Sequence, residues 1–449
     1  MTATAPSPFS LAPVRWFVAF RVFFNARFYY PVFTILFLDF GLTLEQFALL
    51  NAVWAGAIVV SEVPSGALAD VIGRRRLVLS AAALMVVEMA LLCFVPRENP
   101  TLLFAVFVAN RLCSGLAEAA ASGADEALAY DALQQAGLEE HWGRVLEIQM
   151  RTQALGFIVA MSLGAALYDP VLVEKALGLL GFGIEVTQND TLRLPLLMTL
   201  GMAVLALFSA FRMTEIPREP AITARIEGRR GAVSLEAFRL TLQAGMWILK
   251  TPFALAVILS GLLFDATLRL VITLISQYYR VIQIPEALYG LIGSALACIG
   301  LWIPRAAAAM SRKRSPTANF WTVAVLILFG LIGLVPTIAW LGLLPVAALT
   351  AAMYLNRFFV SGYLNRVTES SRRATVLSFK GLSYNLAYGM AGLLYSLLLA
   401  GLREAKQGSL GASAQDAVFV ASLPWFPIVF LVLLLVLAIY LKRKRPTQG

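Results

Sequence analysis

The sequence predicts an all-α membrane protein of twelve transmembrane helices in two six-helix pseudo-repeats, and three observations carry that prediction. Composition is the first: 59% of the 449 residues are hydrophobic and 14% are charged, with a mean hydropathy of +0.78, against about 45–50% and about 25% in soluble domains. So little polar surface excludes a soluble multidomain enzyme. The second is a series of twelve apolar stretches near or above the roughly 18 residues that a membrane-crossing helix needs. The third is a repeat. At a single offset Phe24-Asn25-Ala26 falls on Phe264-Asp265-Ala266 and Pro64 on Pro304; a slightly larger shift lays Asn110-Arg111 over Asn356-Arg357, each followed by a Ser-Gly pair.

Taken in order, residues 1–13 are rich in Ala, Ser and Pro without a charge. They lack the basic n-region of a cleavable signal peptide, so insertion is expected to rely on the spans themselves. Spans at 14–40, 45–67, 76–95, 101–123, 145–168 and 193–212 make a first bundle within residues 1–213. An outer segment, 170–192, contains an apolar run, Ala176 to Gly183, too short to cross. Residues 214–251 are the one long polar stretch and read as a cytoplasmic linker; within it Leu235, Phe238, Leu242 and Trp247 recur at roughly helical spacing, which suggests a helix lying in the interface. A second bundle, 252–449, follows with spans at 252–279, 286–308, 317–340, 342–364, 375–400 and 418–441.

Orientation is read from Lys and Arg. Arg74-Arg75-Arg76, Arg312-Lys313-Arg314, Arg372-Arg373 and Lys442-Arg443-Lys444-Arg445 all close ends on one side, which the positive-inside rule makes cytoplasmic, with both termini on that side. The same bias accounts for the pI of 9.7 without nucleic acid, whose binding would need a polar basic face. Three widely separated cysteines, Cys93, Cys113 and Cys298, and a single histidine, His141, give neither a disulfide framework nor a metal site. No P-loop is present, so uphill work would draw on an ion gradient, and no cofactor is expected.

Ionisable groups inside spans are costly and are functional candidates by default. Arg21, Arg305, Lys380, Asp39 and Glu62 sit near enough to span ends to reach an interface. Arg27, Glu88, Arg111, Glu118, Asp265, Arg269 and Arg357 lie deeper. Arg111 and Glu118 are two helical turns apart on one face of span four, and Asp265 and Arg269 can pair across one turn of span seven. Approach and withdrawal of Arg111 or Arg269 would switch Glu118 or Asp265 between charged and protonated states, which is a means of coupling to protons. Around the same cavity Asn25, Arg27, Tyr29, Tyr30, Asn356, Arg357, Tyr384, Asn385 and Tyr388 supply positive charge, hydrogen bonds and aromatic surface, a mix suited to a small, mildly anionic or amphipathic organic molecule.

Gly66-Ala67-Leu68-Ala69-Asp70-Val71-Ile72-Gly73-Arg74-Arg75-Arg76, after span two, resembles the signature loop of the major facilitator superfamily, although Val71 stands where that family usually has a basic residue. Glu62-Val63-Pro64-Ser65, Ser122-Gly123-Ala124-Asp125-Glu126-Ala127 and Arg373-Ala374-Thr375-Val376-Leu377-Ser378 resemble bacterial permeases of the same superfamily, and Arg111-Leu112-Cys113-Ser114-Gly115 resembles its second motif, whose arginine is associated with proton coupling. The Gly-Pro motif common in span five of its antiporters is absent.

The resemblance implies the MFS fold, two parallel repeats rocking about a shared midplane site, and a carrier rather than an enzyme. It implies an inner gate built on Gly66, Asp70, Gly73 and Arg74, with Asp70 facing the N-terminal end of span eleven near Thr375 and Arg74 pairing with Asp125 or Glu126. The expected function is proton-coupled secondary transport of a small organic solute by a monomer in the bilayer of the cell inner membrane. Export is favoured by the resemblance alone; a proton-coupled importer of an organic anion and a lipid translocator or scramblase are the alternatives.

Overall fold

The computed structural model describes residues 7–215, 239, 243, 245–368, 370–405 and 412–443, without the side chains of 63, 66–71, 370–374, 412 and 413. Most of the interfacial helix expected between spans six and seven therefore lies outside the described residues; of its apolar positions only Trp247 falls within the helical run 245–250.

All regular structure among the described residues is helical. That follows from the solvent: in hydrocarbon every backbone group must be satisfied within its own segment. Among the described residues eleven helical stretches are long and apolar enough to cross a membrane. The first expected span is the exception, because it is divided into α1 (Ala12–Asn25) and α2 (Phe33–Phe40), with a short 3-10 turn at Tyr30–Val32 between them. The others are α3 (Leu44–Ile72), α4 (Arg74–Phe94), α5 (Pro100–Ala121) continued by α6 (Ala124–Gln135), and α7 (Trp142–Tyr168). Two short helices, α8 (Pro170–Leu179) and α9 (Gln188–Thr191), occupy the outer segment before α10 (Leu194–Arg212).

In the second half, α11 (Pro252–Thr273) gives way at Leu274 to α12 (Ile275–Val281). Then come α13 (Tyr289–Lys313), α14 (Pro316–Leu334), α15 (Leu343–Val367), α16 (Ser370–Ala405), α17 (Ala412–Ser422) and α18 (Trp425–Arg443). Capping chemistry fixes several starts. Asn99 accepts from Thr101 N and Leu102 N ahead of Pro100, Asp169 accepts from Leu172 N ahead of Pro170, and Ser315 accepts from Ala318 N ahead of Pro316.

Contacts divide the chain into two compact units, residues 1–32 with 56–238 and residues 33–55 with 239–449. In the first, α4 packs on α5 and α10, and α1 on α7 and α10. In the second, α11 packs on α15, α16 and α18, and α14 on α15. The segment 33–55 precedes the linker in sequence yet belongs to the second unit. Gly389 and Gly392 of α16 let α3 come close there: a Cβ on Gly389 would stand 3.1 Å from Ala55 Cβ, and one on Gly392 3.2 Å from Ala48 O.

The break after Asn25 is built into the first unit. Phe28 N donates to Thr199 Oγ1 at 3.0 Å, and that hydroxyl donates on to Pro195 O at 2.8 Å, so a backbone group freed by the break is satisfied inside the protein. On the other side Phe28 O lies so close to Gly164 of α7 that a Cβ there would be 1.7 Å away. Backbone cannot yield as a side-chain tip can. Gly164→Ala is thus expected to lower stability by at least about 1–3 kcal/mol, read as a fall in thermal midpoint of the purified protein. Gly201→Ala, with nothing within 4 Å of the added carbon, is the control and should leave the midpoint unchanged.

Candidate substrate and coupling site

Each unit carries a cluster of charges within its span helices. In the first, the break between α1 and α2 presents Arg27, whose Nη1 donates to Glu88 Oε1 of α4 at 2.9 Å; the two side chains are 4% and 0% exposed. The guanidinium also lies over the Phe24 ring, 5.6 Å from its centroid. Asn110 of α5 donates from Nδ2 to Glu88 O at 2.8 Å, tying α5 to α4 beside the pair. Tyr29 is buried and Tyr30 exposed, their rings edge to face at 5.2 Å.

Arg111 is buried, and Glu118, two turns further along α5, carries exposed surface. The charges acting on Glu118 are Arg27, Glu88 and Arg21. Helix geometry explains why Arg111 is not among them: seven residues share a face but stand about 10 Å apart along it. Asn25 turns back instead, donating from Nδ2 to Arg21 O at 2.7 Å and so closing the end of α1.

In the second unit Asp265 and Arg269 pair within α11, as their spacing predicts, but loosely, at 3.6 Å. The guanidinium is held more firmly by α16: both terminal nitrogens donate to Asn385 Oδ1, at 3.0 and 2.8 Å, and the Tyr388 ring lies 4.5 Å from the guanidinium carbon. Tyr388 shares a hydrogen bond of 3.0 Å with Thr273 and meets the Trp54 ring edge to face at 6.2 Å. Arg357 and Lys380 both act electrostatically on Asp265, and Lys380 Nζ stands over the Tyr384 ring at 5.3 Å. Three cations thus act on one carboxylate. Asn356 is turned elsewhere, donating to Gly261 O at 3.3 Å. Gly261 in turn leaves the room that Tyr384 fills, since a Cβ there would be 1.9 Å from the tyrosine oxygen.

At the end marked by Arg74–Arg76 the pairing differs from expectation. Asp125 and Glu126, in the first turn of α6 where the helix dipole favours acids, both pair with Arg21 of α1. Arg74 reaches Asp131 further along α6, because Arg21 already occupies the first turn. Gly73 has φ +95°, a backbone conformation that favours glycine, and a Cβ there would stand 2.7 Å from Glu215 Oε2 and displace that carboxylate. Glu215 accepts from Arg74 N at 2.9 Å and Arg75 N at 3.2 Å, capping α4 from just beyond α10. Arg75 donates from Nε to Met213 O and from Nη2 to Phe211 O. Gly66 and Asp70 fall on α3, and the Asp70 side chain lies outside the described residues.

A further charge cluster closes the opposite end of α3. Arg280 of α12 forms a fork with Asp39 at 2.7 and 2.6 Å and also reaches Glu286 at 2.7 Å. Arg403 of α16 grips Glu45 at 2.7 and 2.9 Å, and Ser276 Oγ accepts from Thr34 N at 3.0 Å. Asp39 and Arg21, which could have reached an interface, are therefore both engaged in protein ion pairs. Trp54 and Glu215 complete arrangements that sequence reading left incomplete, and Glu88 and Lys380, noted there only as charges within spans, join them. The signal for Glu88 was its depth, matching that of Arg27; Glu215 offered none, being one acid in a polar stretch.

Comparison with known proteins accords with this architecture. The model of the family described as the Major Facilitator Superfamily matches residues 15–392. A mutant of the nucleoside transporter NupG superposes with a TM-score of 0.65 at 15% identity, covering 94% of this chain and 98% of its own. A bacterial homologue of the human lysosomal transporter Spinster, in an inward-facing and occupied conformation, gives 0.64 at 15% identity with 97% of each chain covered. The xylose transporter XylE from E. coli gives 0.55 at 15% identity, over 98% of this chain and 99% of its own. No curated protein matches the sequence. With the family's model spanning most of its length and its helices arranged in that fold, the chain belongs to the major facilitator superfamily.

Proposed function

We propose that this transporter moves a small organic anion, or an amphipathic molecule with an anionic group, across the cell inner membrane by proton-coupled alternating access, with export the favoured direction. One observation carries the reading: Arg269 pairs with Asp265, and Arg357 and Lys380 act electrostatically on the same carboxylate, an excess of positive charge close to Tyr384, Asn385 and Tyr388. Carboxylates and phosphates are the groups that such donors bind by charge-assisted hydrogen bonds. The basic ends of the helices are taken as cytoplasmic by the positive-inside rule. On that orientation the Asp39–Arg280–Glu286 and Glu45–Arg403 contacts form an outer latch on residues 33–55. Export suits an anion energetically, since an inside-negative potential favours its exit by about 2.3 kcal/mol per charge per 100 mV.

The test is uptake into proteoliposomes with an imposed pH gradient, offering labelled organic acids and cationic drugs side by side. Acids alone should be accumulated, and the paired substitution Arg357→Gln and Lys380→Gln should raise the half-saturating concentration by about tenfold or more, the scale of losing a hydrogen bond to a charged group. A response confined to cations would overturn the anionic reading. Movement of labelled lipid without any gradient would replace it with lipid translocation.

A further inference from the structure

A concavity lies between α11, α14 and α18, lined by none of the charged residues of the clusters described above. It encloses about 510 Å³, and its walls include Val257, Phe264, Phe320, Ala324, Leu434 and Leu437. Among its lining residues the only polar side chains are Ser260, Thr317, the Trp321 indole and, at the mouth, Lys442. Along α11 the lining runs from Pro252 to Phe264, along α14 from Pro316 to Ala324, and along α18 from Leu434 to Lys442. At 1.5 Å per residue these are runs of about 12–18 Å, the depth of one leaflet of a bilayer whose hydrocarbon core is about 30 Å thick.

The mouth is built from three helix ends, and each carries exposed cations. Lys250 stands two residues before Pro252, Arg314 two before Pro316, and Lys442 and Arg443 close α18. The stretches 245–257, 310–324 and 431–443 contain no acid. Thr251 caps α11 without a side-chain hydrogen bond, so the first-turn N–H groups add the partial positive charge of a helix N-terminus. Trp321, one turn into α14, is 46% exposed, and indoles collect at the headgroup level of a bilayer.

We infer that this groove binds an anionic phospholipid of the leaflet at the basic end, one acyl chain lying between α11, α14 and α18 and the phosphate held by Lys442 and Arg443 with Lys250 and Arg314 beside it. Charge complementarity, the apolar lining and the match of groove length to leaflet depth all favour a lipid over a peptide or a soluble anion. Asp265 belongs to the charge cluster of α11 and does not line the groove, so the bound lipid is a resident ligand and not the transported solute. The inference uses the orientation proposed above only to name the leaflet.

Native mass spectrometry of the full chain tests it. Protein in a neutral detergent is exposed to phosphatidylglycerol or phosphatidylcholine of identical acyl chains, and retained lipid is counted. Phosphatidylglycerol should be retained selectively. The double substitution Lys442→Gln and Arg443→Gln should weaken retention about thirtyfold, from roughly 1 kcal/mol per basic residue near a membrane surface. Ala438→Phe, which fills the groove, should abolish it; Ala256→Leu on the facing helix is the second filling variant should the first fail to elute as a folded monodisperse protein. Equal retention of the two lipids would overturn the inference, as would phosphatidylglycerol retention that survives groove filling. Inorganic phosphate that stabilises the protein against heat as well as the lipid does would also overturn it, since the headgroup alone would then suffice. Because retention is read without transport, a failure here is distinct from a failure of the proposed substrate class.

Discussion

Replacing Glu118 with glutamine and Asp265 with asparagine together is expected to abolish accumulation driven by a pH gradient while preserving exchange of substrate across the membrane. An amide keeps the size and much of the hydrogen bonding of a carboxylate but carries no exchangeable charge, so only steps that load or release a proton are lost. The geometry singles out these two acids. Glu118 carries exposed surface and lies within the electrostatic reach of Arg27 and Arg21. Asp265 is held by Arg269 at only 3.6 Å, the arginine's closer bonds going to Asn385. Neither is locked in a short fork of the kind that Arg280 makes with Asp39.

The size of the effect follows from the gradient. One pH unit is worth about 1.36 kcal/mol per coupled proton, which corresponds to about tenfold accumulation. In the double variant that ratio should fall to unity, whereas counterflow between substrate pools should continue. The single substitutions then divide the coupling between the two units. Undiminished accumulation in the double variant rejects proton coupling through these residues, and loss of counterflow as well would make them binding residues instead.

The sequence made the spans legible because lipid permits few solutions: long apolar runs must become helices, and basic clusters mark their ends. The Asp265–Arg269 pair was legible for a similar reason, since four residues along a helix bring two side chains to one face. What lay beyond local geometry was hidden. Asn385, which fixes Arg269, is 116 positions away. Arg74 was matched to the wrong acids because Arg21, its competitor for Asp125 and Glu126, lies in another span.

The division of the first span illustrates a different limit. Residues 14–40 read as one apolar run, yet α1 stops at Asn25 and α2 begins at Phe33. Arg27 and Pro31 within the run were the available signals. Neither shows that Thr199 and Gly164, from two other spans, provide the hydrogen bond and the space that make a break tolerable there. Broken helices of this kind expose backbone where transporters bind ligands, and the same interruption delivers Arg27 to Glu88.

That pair sets the largest expected effect on stability. Glu88 is fully buried and Arg27 nearly so, and removing one partner of a buried ion pair leaves the other charge without compensation, typically at a cost of about 3–5 kcal/mol. Glu88→Ala should therefore unfold at much lower temperature than the parent in the same detergent. Replacing both partners with apolar residues of similar volume, Arg27→Met with Glu88→Leu, removes both desolvation penalties at once and should recover most of the lost stability. The comparison separates two roles for the pair. A double variant that is stable and transports normally would make the pair a device for folding the broken span. A double variant that is stable but inactive would show that the buried charges serve the transport cycle, with Arg27 the cation that Glu118 answers to. The second outcome is expected, because the charge on Arg27 acts on Glu118 as well as on Glu88, and a buried ion pair alone would be a costly way to hold two helices together.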